Sequence, residues 1–125
     1  TQETVEWATY LQQLSDKNFS LGRLGWTADY PTMDNFLYPN FFTGADNNYE
    51  EYSNPEMDAA MLAARQIQDE EERKAACRKI CGTIGKDMPV IPIMFYAHNY
   101  IGSERMKSFN YDAQTKPHFE TAELA

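Results

Sequence analysis

Three side chains in the stretch GRLGWTADYPT, residues 22–32, could together bind a small charged molecule. Arg23 carries a permanent cation, Asp29 carries a carboxylate, and Trp26 between them offers a large flat apolar surface. On a fully extended strand Arg23 and Asp29 would project from the same side, at most roughly 20 Å apart. Opposite charges held apart on one face suit a short zwitterion, whose charged ends lie ~7 to 14 Å apart when a few residues are extended.

Each of the three residues also has a purely structural interpretation. Asp29 stands before Tyr30 and Pro31, a context in which aspartate is a common turn residue. A single arginine such as Arg23 is commonly a solvated surface cation, and a tryptophan such as Trp26 is most simply part of a core. Both interpretations stand on the residue pattern alone.

The elements that would position these side chains are a helix, a strand and a turn. Apolar residues recur at helical spacing over residues 3–15, which predicts an amphipathic helix. The run Phe19–Ala28 is rich in aromatic and aliphatic residues and holds two glycines, so it predicts a strand that other backbone approaches closely. The strand should end at Tyr30–Pro31, and a short helical turn is expected at Asn35–Leu37 before Pro39.

Two longer helices follow a polar loop at residues 43–55. Asn54 and Pro55 are typical of the N-cap and the first position of a helix. Asp69 and Glu72 form a capping-box pattern for a second helix, with Gly85 as its expected C-cap. The glutamates at positions 70–72 are expected to be solvated charges at a helix start and not a catalytic pair. The apolar stripe of the first helix is expected to be core and consists of Met57, Ala60, Met61, Ala64 and Ile67.

The end of the chain contains one more predicted strand. Residues 88–102, MPVIPIMFYAHNYIG, form a nearly continuous apolar and aromatic run, which predicts a buried strand. Pro89 and Pro92 restrict its hydrogen bonding, so it should enter a sheet near the edge. Residues 114–125 have no clear period and are expected to be loosely held unless another part of the parent protein packs on them. Helices that cover a mixed sheet place the chain in the α/β class.

Composition excludes several classes of partner. The formal charge is -8, the pI is about 4.6, and the basic residues are scattered. Nucleic acid and anionic membrane surfaces are therefore not expected as partners. No apolar run approaches the roughly 20 residues of a membrane-spanning helix. The 125 residues fit one small domain or a piece of one, and because the chain starts with TQETV and not with Met, it is expected to be cut from something longer.

The residues that most often bind metals or carry out covalent catalysis do not form a known pattern. Cys77 and Cys81 lie one helical turn apart and are expected to be buried, unpaired thiols. The spacing of His98 and His118 from the cysteines does not match that of zinc-finger ligands. The loop at 43–55 departs from the pattern of a calcium-binding EF-hand. No metal or cofactor is expected. An enzyme is a remote alternative, since His98 is a candidate base without an accompanying nucleophile.

The order of four short motifs carries a family resemblance. GWTADYP follows a predicted strand, YSNPEMD precedes a helix, DEEER opens the next helix and DMPVIPI leads into the last predicted strand. This series resembles the C-terminal part of the extracytoplasmic solute-binding proteins of the oligopeptide, dipeptide and nickel class, known as family 5. The resemblance runs from about Glu6 to Tyr100.

The resemblance implies an architecture and a biological setting. The fold would be part of a two-lobed, type II periplasmic-binding-protein-like structure, with residues 1–95 in the second lobe and residues 96–125 crossing the hinge and returning. The whole protein would be an extracytoplasmic, non-enzymatic receptor, with a lipid anchor as one option at the missing N-terminus. It would bind short peptides and deliver them to the permease of an ABC transporter.

The resemblance also implies roles for the three candidate residues. In peptide-binding members the aspartate of the matching motif, here Asp29, receives the α-ammonium of the peptide. In the oligopeptide branch the arginine that matches Arg23 receives the C-terminal carboxylate, and the tryptophan that matches Trp26 lies beside the peptide. The residues after Tyr30 depart from the frequent pattern of the family and leave the pocket shape open. A receptor for a non-peptide solute, such as a nickel complex or an oligosaccharide, stays as the alternative, because Asp29 would then have no amine to neutralise.

Overall fold

The helices lie in the first two thirds of the chain, and a small sheet lies at its C-terminal end. A computed structural model describes residues 4–112 and 114–125. Within these residues a two-stranded antiparallel sheet follows the helices, and this mixture agrees with the α/β class. The elements are α1 (Trp7–Ser15), α2 (Asp34–Phe41), α3 (Pro55–Gln66), α4 (Glu70–Asp87), β1 (Met106–Tyr111) and β2 (Pro117–Leu124). The helix expected over residues 3–15 is confirmed for residues 7–15, and residue 3 lies outside the described part.

Helices α2, α3 and α4 enclose the core. The Asn54 side chain accepts hydrogen bonds from the backbone N–H groups of Glu56 and Met57, and Pro55 is the first helical residue, so the predicted helix start is confirmed. The predicted stripe faces the core from Met57 to Ala64, and Met61 at its centre is 1% exposed. Ile67, the last residue of the predicted stripe, lies just after α3 and is half-buried outside this core. The buried core consists of Leu37, Met57, Met61, Ala64, Cys77, Ile80 and Ile84.

Helix α4 begins where the capping pattern predicted and ends later. The Asp69 carboxylate accepts a hydrogen bond from the Glu72 N–H, and the glutamates of the first turn are exposed. The expectation that Gly85 caps the helix is wrong, because the helix continues to Asp87 and Met88 takes the left-handed conformation at φ 49° and ψ 48°. A glycine inside a helix costs only about 1 kcal/mol relative to alanine, and the following proline then ends the helix.

Helix α2 is longer than the predicted turn and runs through Pro39. Proline lacks the N–H that would bond to the carbonyl of Asn35, one turn earlier. The helix nevertheless continues, since the Phe42 N–H still donates to the Tyr38 carbonyl and Leu37 is anchored in the core. The turn predicted at Asn35–Leu37 is therefore the start of a full helix.

Neither of the two strands predicted from the sequence pairs with a neighbouring strand. Residues 19–28 and 88–102 contain no strand, and most of the second run is exposed, with Phe95 at 102% and Ile93 at 72%. A strand needs a neighbour to bond with its backbone, and the described residues place no neighbouring strand beside either run. The prediction of a buried strand is wrong for this chain, although its extended, apolar character remains.

The last residues form a hairpin, which the sequence did not predict. β2 pairs with β1 in antiparallel register, with Asn110 opposite His118 and Tyr111 opposite Pro117. Aromatic contacts support the hairpin, because the Tyr100 and Tyr111 rings stack with centroids 3.4 Å apart. The expectation of a loosely held end is therefore wrong.

The two cysteines have different surroundings. Both thiols are free, as expected, but Cys77 is buried in the core and Cys81 is exposed. Burial raises the pKa of the Cys77 thiol above its usual value. The prediction of two buried thiols is right for Cys77 and wrong for Cys81, because residues four apart on α4 still differ in angle around the helix axis.

The polar loop before α3 is organised around Asn48, which is 3% exposed. Its side-chain amide donates to the carbonyls of Phe42 and Tyr52 at 3.1 Å and 2.7 Å and accepts from the Tyr52 N–H at 2.9 Å. The ammonium of Lys17 donates to the carbonyl of Asn48 from outside the loop. One buried amide therefore gives an otherwise polar segment a fixed shape.

We expect the C-terminal hairpin to be more stable in mild acid than at neutral pH. Hydrogen bonding to Glu120 at 2.8 Å, with Asp112 on the other side of the ring, raises the pKa of His118 above its ordinary value of 6.5. When folding raises a pKa, the resulting stabilisation is fully present at pH values below the unfolded-state pKa of His118. It disappears as the pH rises through the folded-state pKa. NMR titration of His118 in native and urea-unfolded protein measures both values. Glu120→Gln should lower the native value, and a native value at or below the unfolded one would contradict the prediction.

Candidate functional site

The Asp29 carboxylate is exposed, whereas the backbone that carries it is fixed. The Asp29 N–H donates to Asn35 Oδ1 at 2.9 Å. Among the described residues no side chain or N–H group bonds to the carboxylate itself. A solvent-facing charge on a held backbone can meet a cation without first losing a protein partner.

Trp26 is joined to Asp29 through the same amide oxygen. Its indole Nε1–H donates to Asn35 Oδ1 at 3.0 Å, and its ring is half-buried. Asn35 is the second residue of α2 and is 1% exposed. The structure therefore brings two of the three predicted residues together at one buried oxygen.

A second amide holds the backbone from the opposite side. Gln114, which lies between β1 and β2, donates through Nε2 to the carbonyl of Ala28 at 3.1 Å. This carbonyl and the Asp29 N–H belong to one peptide unit. Contacts from α2 and from the hairpin therefore meet at the residue that carries the carboxylate.

Arg23 lies in a separate environment on the same segment. Its Nη2 donates to the Tyr96 Oη at 2.7 Å, and its guanidinium lies 5.9 Å from the Tyr96 ring centroid. The Tyr10 hydroxyl donates to the Arg23 carbonyl at 2.9 Å. No described contact joins the Arg23 side chain to Trp26 or Asp29, so the structure does not bring all three together.

The two glycines of the segment allow close approach, but by side chains and not by the backbone that the sequence predicted. A Cβ on Gly25 would lie 3.1 Å from Tyr96 Cε2. A Cβ on Gly22 would lie 2.9 Å from the Tyr10 Oη and 3.1 Å from a Leu14 methyl. Gly25 thus leaves space for the tyrosine ring that contacts Arg23.

Sequence reasoning missed Asn35, Tyr96 and Gln114. The sequence predicts only a helical turn at Asn35, a buried strand at Tyr96 and an irregular end at Gln114. No local pattern could have found Tyr96 and Gln114, since they act on residues 73 and 86 positions away. Asn35 acts on residues only six and nine positions away, but a single asparagine after a turn carries no specific signal for these bonds.

The two charged side chains could each bind a group of opposite charge. Asp29 can accept hydrogen bonds from an amine. Arg23 can donate to a carboxylate, and the Tyr96 hydroxyl, which accepts from Arg23, keeps its own hydrogen for donation. Within residues 4–112 and 114–125 no cluster of His, Cys, Asp and Glu side chains could hold a metal ion, and no helix is long and apolar enough to cross a bilayer.

No family model matches the chain, but comparison with known proteins finds several relatives that are named as binding proteins. It is 32% identical over 109 residues to the periplasmic oligopeptide-binding protein OppA of Haemophilus influenzae, covering 86% of this chain and 20% of that protein. It is 27% identical over 120 residues to the oligopeptide-binding protein OppA of Bacillus subtilis, covering 96% and 22%. It is 32% identical over 95 residues to the probable deoxycholate-binding periplasmic protein YgiS of Escherichia coli, covering 76% and 18%.

The chain spans about a fifth of the length of these relatives. The matches extend over most of the chain and so include the segments that carried the family resemblance. The prediction of family is confirmed, and the chain belongs to the extracytoplasmic solute-binding proteins of the oligopeptide, dipeptide and nickel class, family 5.

Proposed function

We propose that this chain is part of a peptide-binding receptor that captures short peptides outside the cytoplasm and delivers them to the permease of an ABC importer. The receptor binds and releases its ligand without chemical change. The observation that carries the proposal is the exposed Asp29 carboxylate on a backbone fixed by Asn35. The names of relatives as oligopeptide-binding proteins support it.

Asp29 receives the α-ammonium of the peptide. A carboxylate paired with an ammonium forms charge-assisted hydrogen bonds, which are about twice as strong as neutral ones. Water is excluded when a cleft closes around the ligand, and the lower effective dielectric then strengthens the pair. A carboxylate on a held backbone, with no hydrogen-bond partner among the described residues, needs little reorganisation before it binds.

Arg23 and Trp26 complete the ligand contacts. Arg23 receives the peptide's carboxylate, and the Tyr96 hydroxyl adds a second donor beside it. Trp26 presents its ring alongside the peptide while Asn35 fixes the ring's polar edge. Separate positions for the two charges favour ligands whose amine and carboxylate lie several ångströms apart.

The receptor has two lobes that close on the ligand, with residues 1–95 in the second lobe and residues 96–125 crossing the hinge and returning. The extended run at 88–102 exposes Ile91, Ile93 and Phe95, a degree of exposure that supports coverage by other parts of the receptor. The 125 residues therefore supply part of a cleft. We expect the isolated chain to bind peptides weakly or not at all, and submicromolar binding by it would contradict this architecture.

A receptor for a non-peptide solute is the second candidate. The observation that favours it is the similarity to a protein named as probably deoxycholate-binding. A bile acid carries a carboxylate and no amine, so Arg23 could bind it and Asp29 would have no partner. The two candidates thus differ in the role of Asp29.

Native mass spectrometry of the full-length protein, purified without refolding, distinguishes the candidates. The peptide receptor should carry a series of added masses that fragment as short peptides. One discrete non-peptide mass would transfer the assignment to another solute and leave Asp29 as a structural residue.

A further inference from the structure

We propose that Asn35 and Gln114 are positioning residues that fix the Ala28–Asp29 peptide unit and thereby direct the Asp29 carboxylate toward the ligand's amine. This inference rests on the proposed function, because it assigns these residues to the binding of an ammonium group by Asp29. Neither amide needs to touch the ligand.

The two hydrogen bonds act on one rigid plane. The Asp29 N–H donates to Asn35 Oδ1 at 2.9 Å, and the Ala28 carbonyl accepts from Gln114 Nε2 at 3.1 Å. In a trans peptide unit the N–H and C=O groups point in opposite directions. The plane is therefore held from both sides, and a rotation of the plane itself, which would carry the Asp29 Cα atom with it, would break both contacts.

The Asn35 contact is rigid because Asn35 itself is fixed. Its backbone belongs to α2, and the next residue but one, Leu37, is in the core. Its side chain is 1% exposed, and its oxygen also accepts from Trp26 Nε1 at 3.0 Å. Two donors on one buried oxygen restrict rotation of the amide and tie the indole ring to the carboxylate-bearing backbone.

The Gln114 contact links the site to the C-terminal hairpin. The Asp112 carboxylate accepts from the backbone N–H groups of Gln114 and Lys116, at 2.8 Å and 2.9 Å, which fixes the connection between β1 and β2. Gln114 is half-buried at this connection. The hairpin therefore holds the Ala28 carbonyl from 86 residues away.

Loss of either amide should reduce selectivity for the amine more than it reduces binding in general. A released peptide unit can rotate and move the carboxylate away from the ammonium. A misplacement of about 1 Å can lower the rate of an enzyme reaction on the order of 100-fold, and we expect a smaller loss of affinity for a single binding contact. A ligand without the ammonium makes no use of this alignment, so its affinity should change little.

Competition between two synthetic peptide libraries tests the inference in the full-length protein. One library contains peptides of three to five residues with free amino termini, and the other contains the same peptides acetylated at the amine. The protein captures both from a mixture, and mass spectrometry gives the ratio of free to acetylated peptide. We expect Asn35→Ala and Gln114→Ala each to lower the wild-type ratio by about tenfold.

A control variant separates positioning from stability. Asn48 is a comparably buried amide whose side-chain hydrogen bonds join Phe42 and Tyr52 and not the Ala28–Asp29 peptide unit, so Asn48→Ala should destabilise the protein and leave the ratio unchanged. Gln114→Ala removes a partly exposed side chain and keeps the test decisive should Asn35→Ala fail to fold. If the wild-type protein captures mainly free peptides and both variants keep its ratio of free to acetylated peptide, the positioning role is wrong and the proposed function stands. A wild-type ratio near one, or no capture of either library, overturns the proposed function as well.

Discussion

We expect the replacement of Asp29 with asparagine to lower the affinity of the full-length protein for short peptides with a free amino terminus by about 30-fold or more. Asparagine keeps the size of the side chain and removes its charge. The peptide's ammonium then enters a closed cleft without a counter-ion, and an unpaired buried charge accounts for most of the loss. Isothermal titration calorimetry with the free and the N-acetylated form of one peptide measures the effect.

The acetylated peptide should bind wild type and Asp29→Asn with similar affinity, since it has no ammonium to pair. Asp46→Asn is the matched control, because Asp46 is also an exposed aspartate but lies in the polar loop before α3. It makes the same change in net charge away from the site. Equal losses for both forms of the peptide, or no loss for either, would contradict the role of Asp29.

Replacing Asn48 with alanine lowers the free energy of unfolding by about 2 to 4 kcal/mol. The substitution removes three hydrogen bonds and leaves both backbone groups of Tyr52 without their partner, whereas the Phe42 carbonyl still accepts from the Ala45 N–H at 3.0 Å. A buried polar group without a partner costs about 1 to 3 kcal/mol, and water can enter this loop only by disturbing it. Urea unfolding of the full-length protein followed by circular dichroism measures the change.

Asn47 is the neighbouring control. It is half-buried and accepts one long hydrogen bond, of 3.4 Å, from the Tyr49 hydroxyl. Asn47→Ala should change the free energy of unfolding by about 0.5 kcal/mol or less. A comparable effect of both substitutions would mean that Asn48 does not organise the loop.

The sequence alone was sufficient for the starts of the two long helices and for the family. Asn54 and Asp69 begin α3 and α4 because an N-cap acts within three residues of itself. The apolar stripe of α3 identified the core for a similar reason, since helical spacing is a local property. The motif order gave the family and named Asp29, Trp26 and Arg23 as candidate ligand contacts.

Only the tertiary structure decided which of these residues act together. Asn35 links Trp26 to Asp29, Tyr96 holds Arg23 and Gln114 holds the Ala28 carbonyl. It also decided that the apolar run at 88–102 remains uncovered and that residues 117–124 form a strand. The physical reason is common to all of these features. A strand requires a neighbour to satisfy its backbone, and an amide between distant segments depends on how the chain packs, so neither leaves a local signal in the sequence.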